Sequence, residues 1–296
     1  MKKLILSIAV TTGLILSACN AGVKKDLLSG LNITNNGLSV EDAYLSVGDK
    51  KISGSSVPYG STVILTITGA DGFTLKNGKA FPDAGITVKN KAGETVANLG
   101  GLFDEYATSG LDPREVSKGV TLSLTCQFPI KMNEEYFCEF ILKDKNSKGE
   151  IKISNTLKME MIAGTNYKPN GLTTDGIFYS KNNDKTTLNE NTISAGDELN
   201  AYFSGLKGFK EENGMVWPDA VIDLQDMSGN SLIKFPDLFA GYDSTGVAVS
   251  DAEKLITLTL QTGDKTTPGK EYKAIFTIKD KKGSASLSDE FSFKVR

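Results

Sequence analysis

The chain has 296 residues, with 33 Lys and Arg against 36 Asp and Glu and no histidine. Without histidine it cannot build a Ser-His-Asp triad, a Cys-His nucleophile or an imidazole-ligated zinc site. Its net charge of −3, with both signs interspersed, provides no electrostatic footprint for nucleic acid. A chain of this length favours two domains over one.

The N-terminal segment carries the pattern of a secretory signal peptide. Lys2 and Lys3 precede an apolar run from Leu4 to Leu16, which suits a signal-peptide core but is short for a membrane span. We therefore expect residues 1–18 to be removed as a signal peptide. Two alternatives remain for this segment. One is an ordinary signal peptide in which the cysteine at position 19 is incidental, and the other is an uncleaved anchor helix.

The signal ends in Leu16-Ser17-Ala18-Cys19, an apolar residue, two small residues and a cysteine. This stretch resembles the lipobox of bacterial lipoproteins, which implies cleavage before Cys19 and acylation of that cysteine. Several acyl chains hold a protein on its membrane permanently, because each buried methylene adds about 0.8 kcal/mol. By resemblance to lipoprotein sorting, Asn20 favours an outer membrane, on either face. We expect residues 19–36 to be a short tether.

The rest of the chain is a tandem duplication. Residues 60–145 match residues 196–281 without a gap, and shorter matches continue on both sides. The matched pairs include Gly72-Phe73 with Gly208-Phe209, Asn77-Gly78 with Asn213-Gly214, Leu102-Phe103 with Leu238-Phe239, Tyr106 with Tyr242, and Glu135-Tyr136 with Glu271-Tyr272. The repeat unit is a whole domain, so we expect domains at 37–163 and 171–296, joined by a linker at 164–170.

Apolar residues alternate with polar ones in both copies, as in strands with one buried face. The inward rows are Val63, Leu65 and Ile67; Val120, Leu122, Leu124, Cys126 and Phe128; Tyr136, Cys138, Phe140 and Leu142; and, in the second copy, Ile256, Leu258 and Leu260, then Tyr272, Ala274, Phe276 and Ile278. Turn signals separate the rows. The pattern predicts an all-β protein of two tandem immunoglobulin-like β-sandwich domains.

Two cysteines besides Cys19 occur in the first copy. Cys126 and Cys138 share the inward parity of two consecutive rows, which we expect to form one hairpin. Opposed positions of an antiparallel pair are close enough for a disulfide, and an exported protein meets an oxidising compartment. We therefore expect a Cys126–Cys138 disulfide, with two buried free thiols, or a redox or metal role, as the alternatives.

An aromatic-Pro-Asp-Ala element recurs as Phe81-Pro82-Asp83-Ala84 and Trp217-Pro218-Asp219-Ala220. An aromatic ring beside a carboxylate could form a ligand rim, so Phe81, Asp83, Trp217 and Asp219 are the candidate binding residues. Alternatively, Pro-Asp sets a turn and the aromatic ring plugs the end of the sandwich. The acidic stretch 102–118 could in principle bind calcium. However, most of its acids have no acidic counterpart in the second copy, so we expect no metal site.

The sequence contains no motif for a cofactor or a nucleophile. We expect a membrane-anchored binding or structural module that recognises a protein or a glycan, and not an enzyme. The alternatives are a carboxylate-based carbohydrate-active hydrolase and a passive envelope spacer. Two close carboxylates in a cleft would favour the hydrolase, and an exposed apolar or aromatic patch would favour binding.

Overall fold

The structure is a computed structural model that describes residues 21–25, 30–182 and 187–296, with side chains from residue 30 onward. The expected signal peptide and its acylated Cys19 lie outside the described residues. Among the described residues, no helix is both long and apolar enough to cross a membrane.

The first sandwich consists of eleven strands and one short helix. They are β1 (Ala21–Lys25), β2 (Asn32–Asn36), β3 (Asp42–Val47), β4 (Lys50–Lys51), β5 (Ser56–Pro58), β6 (Thr62–Thr68), β7 (Pro82–Asn90), β8 (Thr95–Leu99), α1 (Pro113–Lys118), β9 (Val120–Thr125), β10 (Glu135–Asp144) and β11 (Glu150–Glu160). One sheet has the order β1-β2-β11-β10-β7-β8, with β5 parallel to β11, and the other has the order β4-β3-β6-β9.

The second sandwich repeats this plan. Its elements are β12 (Thr165–Asn170), β13 (Gly176–Lys181), β14 (Thr192–Ile193), β15 (Glu198–Ser204), β16 (Met215–Val216), β17 (Pro218–Asp226), β18 (Ser231–Phe235), β19 (Val247–Ala248), α2 (Val249–Lys254), β20 (Ile256–Gln261), β21 (Glu271–Asp280) and β22 (Ser286–Val295). The sheets are β12-β22-β21-β17-β18, with β14 parallel to β22, and β13-β15-β20. Two all-β sandwiches related by internal duplication are therefore confirmed.

The core lies between the two sheets of each sandwich and is filled by the alternating rows. In β6 every second residue is buried, and β9 and β10 show the same alternation. Fully burying one such side chain contributes about 1.5–3 kcal/mol. The rows therefore account for the two packed faces that hold the sheets together.

A tyrosine near the start of the same strand in each copy supports the immunoglobulin-like assignment. The Tyr136 hydroxyl accepts a hydrogen bond from the backbone N–H of Lys131 at 2.8 Å, and the Tyr272 hydroxyl accepts one from Thr267 at 2.8 Å. This bond to a residue a few positions upstream is the tyrosine corner of immunoglobulin-like sandwiches. The sequence pattern placed both tyrosines in inward rows but did not indicate this bond.

The expected hairpin and disulfide are wrong. Strand β9 pairs with β6, whereas β10 pairs with β7 and β11, so Cys126 and Cys138 belong to opposite sheets. Both are buried free thiols. Period-two alternation identifies the buried face of a strand but not its neighbour, and two inward rows can equally face each other across the core. Phe128 is also misplaced by the pattern: β9 ends at Thr125, and Phe128 is exposed.

Two expected connecting segments are strands instead. The expected tether, 19–36, contains β1 and β2, and its Leu31 and Ile33 enter the core. In the expected linker, 164–170, residues Thr165–Asn170 pair with β22. Both segments are mostly polar because they lie toward the edges of their sheets, where proline is also tolerated, as Pro169 is here. An edge strand of this composition resembles a linker in sequence.

The two sandwiches pack directly against each other at Tyr59. This side chain follows β5, is 1% exposed, and lies against Phe178 of the second sandwich with ring centroids 6.2 Å apart. Its hydroxyl is 2.9 Å from the Ser204 hydroxyl. The backbone N–H of Met132 donates to the carbonyl of Asp175 at 2.8 Å. We call this contact the joint; it connects the two sandwiches through buried groups.

Candidate functional site

The connection from β18 to β20 in the second sandwich forms an open groove of about 410 Å³. This connection makes a 3-10 turn (Ala240–Tyr242), then β19 and α2, before it rejoins the sheet. We call this the Tyr242 groove. It is lined by Phe239, Tyr242, Gly246, Val247, Ala248, Asp251, Ala252, Leu255, Ile256 and Thr257.

Large apolar side chains at this groove remain open to solvent. Tyr242 is 51% exposed and Leu255 is 45% exposed. The Phe239 and Tyr242 rings pack at 6.0 Å between centroids with a 48° angle between their planes. Leu238, next in the chain to Phe239, is also exposed. Exposed apolar groups that cluster on one side of a sandwich are typical of an interaction site.

A carboxylate cluster lies next to the groove. The Lys281 ammonium contacts Asp237 Oδ1 at 2.7 Å and also contacts Asp243. Asp219, at the start of β17, is hydrogen-bonded to Asp237. Burial and the adjacent Asp237 raise the pKa of Asp219, while the hydrogen bond from Lys281 lowers the pKa of Asp237. Of Asp219 and Asp237, Asp219 is thus the carboxyl that more readily keeps its proton.

Trp217 connects the cluster to the groove. It precedes β17 and shares the outward face with Asp219, since Pro218 between them points into the core. Its carbonyl accepts the backbone N–H of Lys281 at 2.8 Å. A Cβ on Gly246, which lines the groove, would lie 3.0 Å from the indole ring. Two of the four rim candidates, Trp217 and Asp219, therefore lie beside the groove.

The other two rim candidates occupy the equivalent place in the first sandwich. The Phe81 carbonyl accepts the N–H of Lys145 at 2.9 Å, and a Cβ on Gly110 would lie 2.9 Å from the Phe81 ring. Asp83 Oδ1 is buried without a hydrogen-bond partner, as is Oδ1 of Asp219. The four residues therefore form two separate local arrangements and not one rim, and their role in binding stays a prediction.

The first sandwich keeps the aromatic pair but not the exposed leucine of the groove. Phe103 and Tyr106 pack with centroids 6.2 Å apart, much like their counterparts. Gly119 stands where the second sandwich has Leu255, and Asp112 stands where it has Ala248. Asp112 accepts the backbone N–H of Arg114 at the start of α1 and binds its guanidinium at 2.9 Å, and these contacts lower the pKa of Asp112. The same backbone plan therefore carries different surface chemistry.

Three of the four acids in the stretch 102–118 are paired with bases, Asp112 among them. Asp104 contacts Lys145 at 3.3 Å, and Glu115 contacts Lys118 at 2.7 Å. Within the part of the chain that the structure describes, no group of three or more His, Cys, Asp or Glu side chains is arranged to hold a metal ion. Asp104, Asp112 and Glu115 therefore act in exposed surface ion pairs, which are weak.

Sequence reasoning missed Asp237, Asp243 and Leu255. Their counterparts in the first copy are Gly101, Ala107 and Gly119, so each differs in type between the copies. They lie within a stretch where the aromatic and turn residues match. Residues that differ between the copies are thus concentrated among aromatic and turn residues that match. A comparison of the two copies could have identified these three positions from that pattern.

Comparisons with known proteins add little. No family model matches the sequence, and no curated protein matches it. A solved structure described as pT26-6p aligns with 90% of this chain and 64% of its own, at 9% identity and a TM-score of 0.24. Dimeric latent PorU from Porphyromonas gingivalis aligns with 88% of this chain and 20% of its own, at 10% identity and a TM-score of 0.26.

A DUF3823 family protein from Bacteroides ovatus aligns with 76% of this chain and 93% of its own, at 12% identity and a TM-score of 0.23. This chain spans less than two thirds of the length of the pT26-6p and PorU structures. Similarities at this level carry no argument about function.

Proposed function

We propose that this protein is a lipid-anchored, non-enzymatic binding module of the bacterial cell envelope, which recognises a protein or a glycan through the Tyr242 groove. The observation that carries the proposal is the exposure of Tyr242 and Leu255 around an open groove of about 410 Å³. Exposed large apolar side chains are normally scattered singly over a protein surface. Here they cluster beside the side chains of Trp217 and Asp219.

The anchoring part of the proposal is supported by the N-terminal sequence. A short apolar run followed by Leu16-Ser17-Ala18-Cys19 resembles a lipoprotein signal, and Asn20 favours the outer membrane. Mass spectrometry of the mature protein should find a diacylated Cys19 at its N-terminus. Replacing Cys19 with Ser should release the protein from the membrane fraction, and an unlipidated wild-type N-terminus would refute anchoring.

A passive spacer is the second candidate, and the joint favours it. Tyr59, Ser204 and Phe178 bury the contact between the sandwiches, which suits a rod that holds a partner away from the membrane. Protease treatment of intact cells separates the locations: digestion of the protein indicates the cell surface, and protection indicates the periplasm. Protection would rule out adhesion to an external ligand.

The hydrolase alternative fits the geometry less well. Glycoside hydrolysis places a substrate bond between two carboxyl groups that are about 5 Å or more apart. Asp219 and Asp237 are instead hydrogen-bonded to each other, and Lys281 engages Asp237. This direct interaction does not match the separation that glycoside hydrolysis requires.

The lone tryptophan offers a direct test of binding, since Trp217 lies beside the groove. The mature two-domain chain is titrated with short peptides and with the oligosaccharides chitotriose and maltotriose, while tryptophan fluorescence is recorded. A saturable change that Tyr242→Ala abolishes supports the proposal. A saturable change that Tyr242→Ala leaves intact would place binding elsewhere.

A further inference from the structure

The chemistry of the Tyr242 groove distinguishes between peptide and glycan ligands. Its walls combine the aromatic rings of Phe239 and Tyr242 with the aliphatic side chains of Val247 and Leu255. The two rings are tilted by 48°, so they do not form one continuous flat platform for a sugar ring. Aliphatic side chains cannot hydrogen-bond to sugar hydroxyls. The walls suit an apolar side chain instead.

The two carboxylates beside the groove, those of Asp237 and Asp243, are less suited to sugar hydroxyls. Asp237 and Asp243 are already bound by the Lys281 ammonium. Carboxylates engaged in ion pairs are poorly placed to accept hydrogen bonds from a neutral sugar, but their residual charge still attracts cations.

The surroundings of the groove are net negative. Residues 237–254 and the adjoining Lys281 and Lys282 contribute four carboxylates and three ammonium groups, namely Asp237, Asp243, Asp251 and Glu253 against Lys254, Lys281 and Lys282, whose ammonium lies 4.4 Å from the Trp217 ring centroid. Asp251 lies in the lining, and its side chain is 67% exposed, with Lys254 3.7 Å away. An exposed pair of this kind is weak. Asp251 therefore remains available to a cationic group on a partner.

The equivalent place in the first sandwich has a different character. Its Arg114 binds Asp112 next to the aromatic pair, and Gly119 presents no side chain where Leu255 stands. The first sandwich thus keeps Phe103, Tyr106 and Leu111 at the places of Phe239, Tyr242 and Val247 but lacks the Leu255 side chain. It supplies an internal control on the same molecule.

We propose that the Tyr242 groove binds a polypeptide segment in which an aliphatic or aromatic side chain is flanked by Lys or Arg. The apolar side chain inserts between Tyr242 and Leu255, and the flanking cation lies against Asp251. This inference rests on the proposed binding function and names its ligand class. Tyrosine is a frequent centre of binding energy in protein interfaces, which agrees with its position here.

The test uses the mature two-domain chain and three fluorescein-labelled peptides of equal length, in which Lys alternates with Leu, Glu with Leu, or Lys with Ser. Fluorescence anisotropy measures the affinities. We expect the Lys/Leu peptide to bind most tightly. Tyr242→Ala should weaken it about tenfold or more, whereas the matched Tyr106→Ala in the first sandwich should change it by less than about twofold.

Charge reversal supplies the second arm. Asp251→Lys should weaken the Lys/Leu peptide and strengthen the Glu/Leu peptide, because the rim then attracts acids. Asp264→Lys, a reversal at a still more exposed carboxylate outside the groove, should have a much smaller effect at physiological salt. Circular dichroism of each variant confirms that it is folded.

The outcomes separate this inference from the function on which it rests. Equal binding of the Lys/Leu and Glu/Leu peptides, or equal losses in Tyr106→Ala and Tyr242→Ala, would overturn the peptide assignment. Binding of chitotriose or maltotriose that depends on Tyr242, without binding of any peptide, would replace the ligand class and keep the binding function. Absence of binding by all probes would count against both.

Discussion

At the scale of single residues, the least expected feature is a buried acid in the second sandwich. Asp289 on β22 is 0% exposed and accepts a hydrogen bond from the buried Tyr179 hydroxyl. Burial raises the pKa of Asp289 to about 6, against a smaller lowering by Tyr179. In the first sandwich Asn155 and Leu45 take these two places, so that copy holds no ionisable group there.

This difference predicts a pH dependence of stability. The unfolded chain releases the Asp289 proton near pH 4, whereas the folded chain holds it to about pH 6. The stability contributed by the protonated form is therefore complete below pH 4 and is lost as pH rises to 6, by about 3 kcal/mol. Asp289→Asn should remove this loss and raise the free energy of unfolding at pH 8, as measured by urea denaturation.

The exposed Asp264→Asn serves as a control for that experiment, because its side chain is 90% exposed. It should leave the pH profile of unfolding unchanged. If Asp289→Asn and wild type lose stability in parallel between pH 4 and 6, the assignment of this dependence to Asp289 is incorrect.

The two thiols of the first sandwich should be unreactive while the protein is folded. Burial raises the pKa of Cys126 and of Cys138 to about 12, and the neighbouring thiol adds to the effect at Cys126. Since the thiolate is the reactive form, iodoacetamide at pH 8 should modify neither residue. In urea, without reductant, both should be alkylated, as peptide mass spectrometry would report.

An exposed cysteine introduced as Ser228→Cys should react at the ordinary rate in the folded protein, because Ser228 lies on the surface. Failure of Cys126 and Cys138 to react in urea until a reductant is added would show that they are bonded, contrary to the structure.

At the scale of elements, the tyrosine corners stabilise the entry to β10 and β21. Tyr272→Phe removes the hydroxyl that accepts the Thr267 N–H while keeping the ring in the core. We expect the free energy of unfolding to fall by about 1 kcal/mol, the net value of one such hydrogen bond. Urea denaturation measures this loss.

Tyr242→Phe is the matched control, since its ring is half exposed in the groove. It should change stability by less than about 0.5 kcal/mol, as for most surface substitutions. Equal effects of the two substitutions would mean that the corner hydrogen bond does not contribute to stability.

At the scale of the whole molecule, the joint determines whether the two sandwiches behave as one body. Gly176 faces Tyr59 so closely that a Cβ would lie 2.0 Å from the ring. Gly176→Ala must therefore displace Tyr59, at a cost of about 1–3 kcal/mol. Calorimetry should show one transition for wild type and two for this variant, and small-angle scattering should show a broader particle.

Gly100→Ala provides the control, because no atom lies within 4 Å of its Cβ position. It should retain a single transition and the wild-type scattering profile. If Gly176→Ala does the same, the joint is not what couples the sandwiches.

The amino-acid sequence by itself determined the strand faces and the duplication. Alternating side chains report which face of a strand leaves water, and matching positions such as Tyr136 and Tyr272 report that the unit occurs twice. Both can be read directly along the sequence, without knowing which strands are neighbours in a sheet.

Tertiary structure alone decided the rest. Which sheet a strand joins depends on long-range pairing, so the Cys126–Cys138 hairpin was wrong, and polar edge strands such as Thr165–Asn170 resembled a linker. The candidate site has the same origin. Asp219, Asp237 and Lys281 meet because β17 pairs with both β18 and β21, and no short sequence window contains all three.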